Sequence, residues 1–438
     1  MENRGIVVVY DDICSAADMF RSEALEFLRS CIAIRSFTGM EREQADLLLS
    51  FFSDKGVPAF RTPRGSVVSM ISPFQDELDD ELKSGDPAGA FRNHISFLRE
   101  KEIRIIAFDA HMDVVSEGDL SEWSSDPFCM SARDGMLFGR GTCDMKGAMA
   151  AMAGAMAVAS CEKIPLRFCA VGCFVTEEEL AEGLALDEII SDLKIVPDLV
   201  LLGEPSKNRI SLGQRGKAQF SIFFEGKRAH SSQPQQGINA MYPAAGNIIA
   251  ADRLDRKGYE LFPDDLLKRD TIAVTGVSVL PGDASSVISH ARVDMIARLA
   301  EGCTLDSLIG KLSEDELWTK CRYEAEVYDR PSYTGVKKEW KVCHTAWKTD
   351  RNSLFASALA EAFRGVKGTD PEFIVWPFST DGVAASKHGI AALGFGPGRE
   401  EMCHKPDEYV GEEALIDALK VYLAFICGKE KLLSNYID

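Results

Sequence analysis

The sequence predicts an α/β protein: a doubly wound, mostly parallel sheet that carries the chemistry, interrupted by a smaller ferredoxin-like α+β unit. Three observations point there. Short, continuously apolar runs alternate with helical periodicity over the first 200 or so residues, as strands buried on both faces and their crossover helices do. From about residue 210 the runs change to alternating strands in the order β-α-β-β-α-β. After residue 330 the helices and buried strands return. The expected division is therefore residues 1–208 and 329–438 for one domain, with 209–328 inserted as a smaller second domain.

In chain order, Phe20, Leu25, Phe27 and Leu28, then Leu47 to Phe52, give the first 60 residues apolar helical faces. Residues 75–102 are rich in charge and read as a solvated surface excursion between two strands. Ile103 to Phe108 is a buried strand, and Gly147 to Ser160, nearly all small residues, is a helix suited to close packing on a sheet. Leu166 to Val175 and Asp198 to Leu202 are further buried strands. The inserted unit takes strands at Ala218 to Phe224, Thr271 to Val279, Val287 to Arg298 and Cys321 to Val327, with helices near Asn239 to Ala251 and Leu305 to Leu312. A surface helix, Glu412 to Ile426, ends the pattern.

Composition narrows the function. With 438 residues, 46% hydrophobic and 27% charged, the chain has the make-up of a globular protein large enough for two domains. A net charge of −19 argues against a phosphate-binding face for nucleic acid. The short apolar stretch Ile6 to Tyr10 is too brief for a secretion signal, and no run approaches a membrane span. Twelve cysteines without a C-x-x-C pair then read as reduced thiols, and the expected location is the cytoplasm.

The residues that carry chemistry stand where such sheets bind ligands, beyond the carboxyl ends of strands. They are His111-Met112-Asp113, the glycine-rich run Gly139 to Gly147 that delivers Asp144, Thr176-Glu177-Glu178-Glu179, Gly203-Glu204-Pro205-Ser206, and Cys403-His404 before Lys405-Pro406-Asp407-Glu408. Any one of these is weak, because a strand-end carboxylate is usually solvated or caps a helix. Together they offer imidazole and carboxylate donors of the kind that suit zinc and its first-row neighbours, in numbers that allow a dinuclear site.

In these motifs, which run in order along nearly the whole chain, the sequence resembles the acetylornithine deacetylase, succinyl-diaminopimelate desuccinylase and carboxypeptidase family of co-catalytic zinc peptidases. Further matches are Gly213-Gln214-Arg215-Gly216, Ala229-His230-Ser231-Ser232, Ser379-Thr380-Asp381-Gly382 and Gly394 to Gly398; Pro331 to Gly335 is similar to the YgeY-like branch. The resemblance implies two divalent metal ions, zinc foremost with cobalt or manganese as alternatives. It implies His111, Asp144 and Glu204 on one, and Asp144, Glu178 and His404 on the other, with a cis bond between Asp144 and Met145. Glu177 would be the general base and Glu179 a solvated neighbour. Asp113 would orient His111; residues 209–328 would be a lid and dimerisation domain beside a catalytic domain of 1–208 and 329–438, and His230 would reach the oxyanion across a homodimer formed by that lid. Arg298, Asp381 and Gly396 would meet the substrate, a small N-acyl amino acid or peptide cut at its amide bond. Lid closure would hinge near residues 208 and 330.

The chain departs from the family at Val383, where an arginine is common, at Ser285-Ser286, where asparagine is expected, and at Ile296, often acidic. These changes leave the metal set intact and alter the substrate-anchoring set, so the substrates of particular relatives do not transfer. The alternative is a non-catalytic metal-binding module of the same fold, which loss of the base would signal. A cysteine hydrolase or redox protein has twelve thiols but no paired motif. Cys143 and Cys403, each next to a ligand position, are expected to be packing residues.

Overall fold

The computed structural model describes residues 10–427, so residues 6–9 of the N-terminal apolar stretch lie outside it. Its larger sheet has nine strands. Their order is Ala59–Arg61, Val67–Ile71, Cys169–Val175, Ile105–His111, Leu199–Leu202, Ala391–Gly394, Ile210–Gln214 and Trp347–Lys348, with Phe373–Trp376 also on Ile210–Gln214. Strands 105–111, 169–175 and 199–202 are buried throughout. Alternation assigns their two faces to two cores. Ile106, Phe108, Ala170, Phe174, Leu199 and Leu201 face one helical layer; Ile105, Ala107, Val171, Cys173, Val200 and Leu202 face the other.

Parallel pairing links the four central strands 169–175, 105–111, 199–202 and 391–394. The sheet as a whole is mixed rather than mostly parallel. Val67–Ile71 is antiparallel to both neighbours because a tight turn from Thr62 to Ser66 returns the chain directly, and Ile210–Gln214 runs antiparallel to Ala391–Gly394 and Trp347–Lys348.

The helix Lys146–Cys161 has no polar face over most of its length, and its residues from Lys146 to Ala159 are all buried. A helix apolar all round must be covered all round. Glu412–Ile426 packs against it and is itself buried from Leu415 onward on most positions, so this last helix belongs to the core, not the surface. Residues 75–102 also differ from expectation. They form helices Gln75–Leu82 and Pro87–Glu100, whose Leu78, Phe91, Ile95 and Leu98 pack on the sheet while their charges face outward.

The second sheet runs Thr271–Leu280, His290–Leu299, Gly216–Glu225, Arg322–Ala325, each pair antiparallel, with Cys343–His344 also on Gly216–Glu225. Helices Met241–Leu261 and Leu305–Leu312 cover one face through Ala244, Ala251, Leu308 and Leu312. The chain passes between the sheets at Arg215 and returns between His344 and Trp347, beyond the expected crossings at 208 and 329. The reason is local: Ile210–Gln214 still pairs in the large sheet, and the hairpin Val327–Tyr328 with Trp340–Lys341 is an excursion before the chain comes back.

Candidate active site

Parallel register sets the first two donors. Asp109 pairs with Leu202, so the residues two further on, His111 and Glu204, emerge level with one another at the carboxyl edge of the sheet. Asp144 arrives from the side on the loop that opens the buried helix, and its bond to Met145 is cis. Potential ligand atoms of His111, Asp144 and Glu204 lie within 4.8 Å of one another, and so do those of Asp144, Glu179 and His404. Asp144 is common to both groups. His111 Nε2 stands 3.2 Å from Asp144 Oδ1, and His404 Nε2 stands 3.3 Å from Asp144 Oδ2 and 3.1 Å from Glu179 Oε2.

Supporting groups aim these donors. His111 Nδ1–H donates to the Asp113 carbonyl at 2.9 Å, leaving Nε2 toward Asp144. The Asp113 carboxylate accepts the Glu178 N–H at 3.1 Å, the Glu179 N–H at 3.2 Å and the Thr38 hydroxyl at 2.7 Å, so Asp113 braces the acidic loop as well as His111. Glu408, which sequence reading passed over inside the His404 motif, is buried. One of its oxygens accepts the N–H groups of Gly141, Cys143 and Asp144 at 2.9–3.0 Å, while Arg140 donates to the other at 2.5 Å.

The Thr176–Glu179 run differs from the reading by one residue. Glu177 has φ of 64°, a left-handed conformation that turns the chain sharply at the strand end. Its side chain is driven inward, where Arg64 Nε donates to it at 2.5 Å and the Tyr328 hydroxyl at 2.7 Å. Glu177 therefore does not line the cleft. Glu178 and Glu179 do, together with Asp144, Glu204, Glu182, Lys217, Arg298, Ser379, Cys403 and His404, around a volume of about 350 Å³. Glu179, read as a solvated neighbour, takes the place beside His404 expected of Glu178.

Electrostatics fit a cation site. Burial, then the Asp144 carboxylate, pushes the Glu204 pKa up; burial, then Glu204, pushes Glu178 up. Carboxylates crowded this way stay ionised together only when positive charge joins them. The donor set, two imidazoles and several carboxylates, suits zinc, cobalt or manganese.

The profile of Peptidase family M20/M25/M40 matches residues 107–427. The chain belongs to this family. YgeY of Escherichia coli (strain K12), an uncharacterized protein, is 28% identical over 387 residues, spanning 87% of this chain and 94% of YgeY. Succinyl-diaminopimelate desuccinylase of Cupriavidus taiwanensis is 29% identical over 338 residues, 73% of this chain and 80% of the relative. The M20 metallo-carboxypeptidase of Sulfolobus solfataricus superposes with a TM-score of 0.67 at 18% identity, over 92% of this chain and 98% of that one, and so shares the fold. As an M20 peptidase the chain is a metal-dependent amidohydrolase.

Other expected residues of this M20 chain fall in three places. Arg298 lines the cleft beside Lys217, its direct partner across the second sheet, and Lys217 Nζ reaches Glu182 Oε2 at 2.9 Å. Asp381 is buried behind the cleft, where it accepts the Gly183 N–H, and its pKa is pushed up to about 7 by burial. Gly396 also lies behind: a Cβ there would stand 2.2 Å from the Gly203 carbonyl oxygen, so this glycine lets the segment after strand Ala391–Gly394 close on the loop that carries Glu204. Neither is among the residues that line the cleft. His230 is exposed on the second unit, 2.8 Å from the Ser232 hydroxyl, and outside the lining of the cleft. No helix of the described residues is long and apolar enough to cross a membrane.

Proposed function

We propose that this M20 enzyme cleaves the amide bond of a small N-acyl amino acid or peptide at a two-metal centre, with Glu178 as its acid and base. Two donor groups meeting at Asp144, with Glu178 in the same cleft, carry the reading. His111, Asp144 and Glu204 would hold one ion and Asp144, Glu179 and His404 the other. Two divalent cations there would polarise the scissile carbonyl and acidify water. Glu178 takes a proton from the attacking water and returns it to the leaving nitrogen, so water and amide become carboxylate and amine. Arg298 anchors the substrate carboxylate, since Lys217 is already neutralised by Glu182. Zinc is the proposed ion, the cytoplasm the proposed location, and a homodimer the proposed assembly. Support for the dimer is the strand Thr271–Leu280, which lies at the end of its sheet among the described residues and leaves Val274, Val277 and Leu280 exposed.

The test is a three-variant panel assayed on N-acyl amino acids and dipeptides, with metal counted in each protein. Glu178→Gln is expected to keep its metal and lose about 10²–10⁴ in kcat. Glu179→Gln should lose the ion shared with His404. Glu177→Gln should instead lose about 3–5 kcal/mol of stability, because buried Arg64 is left without its counter-charge. Wild-type turnover in Glu178→Gln, with Glu177→Gln folded, metal-loaded and inactive, would return the base to Glu177.

A further inference from the structure

We propose that Cys143 and Cys403 are an oxidisable dithiol whose disulfide dismantles the ligand set around Asp144 and His404. The fold brings the two sulfurs to 3.9 Å of each other from positions 260 residues apart. Both converge on one residue: Cys143 Sγ accepts the Arg399 N–H at 3.0 Å, and the Arg399 carbonyl lies 3.1 Å from Cys143 Sγ and 3.7 Å from Cys403 Sγ. Their surroundings differ. Cys403 lines the cleft, open to small solutes, whereas Cys143 is buried. That asymmetry is what an attacked thiol and a resolving thiol require.

With hydrogen peroxide as oxidant the chemistry closes. The Cys403 thiol gives up its proton, its sulfur attacks one peroxide oxygen, the O–O bond breaks, and Cys403 sulfenic acid and water result. The Cys143 thiol then displaces the sulfenic hydroxyl, forming the S–S bond and a second water. Two thiols lose two electrons and two protons, and peroxide is reduced to water.

A disulfide bond is about 2.05 Å long, so the sulfurs must close by nearly 2 Å. Cys143 and Cys403 each share a peptide bond with a donor residue, Asp144 and His404. Closure therefore moves two donors of one group at once, and the bound ion is released.

The experiment treats the zinc-loaded protein with hydrogen peroxide, blocks free thiols, and maps peptides by mass spectrometry while zinc is counted after gel filtration. The expected result is a peptide pair joining Cys143 to Cys403, two hydrogens lighter than the thiols, with zinc falling to about half. Dithiothreitol should reverse the link, and zinc should rebind. Cys143→Ser should give no such pair and leave Cys403 as a sulfinic acid. Wild-type protein that shows only oxidised, unlinked Cys403, or that forms the link and keeps all its zinc, overturns the proposal. The map reads the disulfide whether or not zinc is bound, so its failure is separate from failure of the two-metal reading.

Discussion

His94 is fully buried on the helix Pro87–Glu100, with Ser72 Oγ 2.7 Å from Nε2 and Glu81 3.5 Å from Nδ1. Burial lowers its pKa to about 4, against some lift from Glu77. In the unfolded chain it titrates near 6.5, so between the two values the unfolded state binds more protons and stability falls as pH drops from about 6.5 to about 4. At about 1.4 kcal/mol per pKa unit the ceiling across that window is about 3.5 kcal/mol, and solvent screening reduces it to about 1–2 kcal/mol. Urea denaturation of wild type and His94→Gln from pH 7 to 4 checks this: the wild-type advantage should shrink as the solution is acidified, and a constant difference would remove His94 from the acid response. Such a role is invisible in the sequence, where His94 sits in a charged stretch. His111, Asp144, Glu204 and His404 are legible there because strand-end position and donor chemistry coincide. The acidic run is legible only as a run. Three consecutive glutamates look alike until the backbone turns left-handed at Glu177, buries that side chain against Arg64, and advances the next two into the cleft. Nothing within the run signals this, since the second partner of Glu177, Tyr328, comes from an excursion far along the chain.

At the scale of elements, the small-residue helix is readable almost to its ends because a run with no polar face has only one place to go. Its start also sets the site. A Cβ on Gly147 would lie 2.4 Å from the Thr142 carbonyl oxygen, a backbone atom in the loop that presents Asp144. Relief has to come from moving that loop, and its N–H groups at Gly141, Cys143 and Asp144 are tied to Glu408. Gly147→Ala should therefore cost about 1–3 kcal/mol and weaken metal binding together. Thermal unfolding with a metal titration decides it, and a variant with wild-type values in both would show that the loop yields freely. The helices within 75–102 are harder to read. Their apolar residues recur at helical spacing, but the charge on the opposite faces dominates the composition and points to solvation for residues that in fact pack on the sheet.

At the scale of the molecule, the order of the second unit is legible and its crossing points are not, because Ile210–Gln214 and Trp347–Lys348 are short pieces of the first sheet on either side of it. That unit presents His230 on its surface while the cleft lined by its own Lys217 and Arg298 does not include it. If the exposed edge strand pairs two copies, the partner's His230 is the one available to a developing oxyanion, and each site is built from two chains. The arithmetic then separates the arrangements. His230→Ala and Glu178→Gln homodimers should both be nearly inactive. In a mixed dimer, one site combines both defects and the other has neither. Statistical exchange makes half the dimers mixed, so an equimolar mixture should recover about a quarter of wild-type activity under twofold symmetry. A site completed within one chain recovers nothing, since every chain carries one defect. Differently tagged variants, mixed, unfolded and refolded together, then purified through both tags, supply the mixed dimers for assay. Inactive mixed dimers with full metal content would end the shared-site proposal.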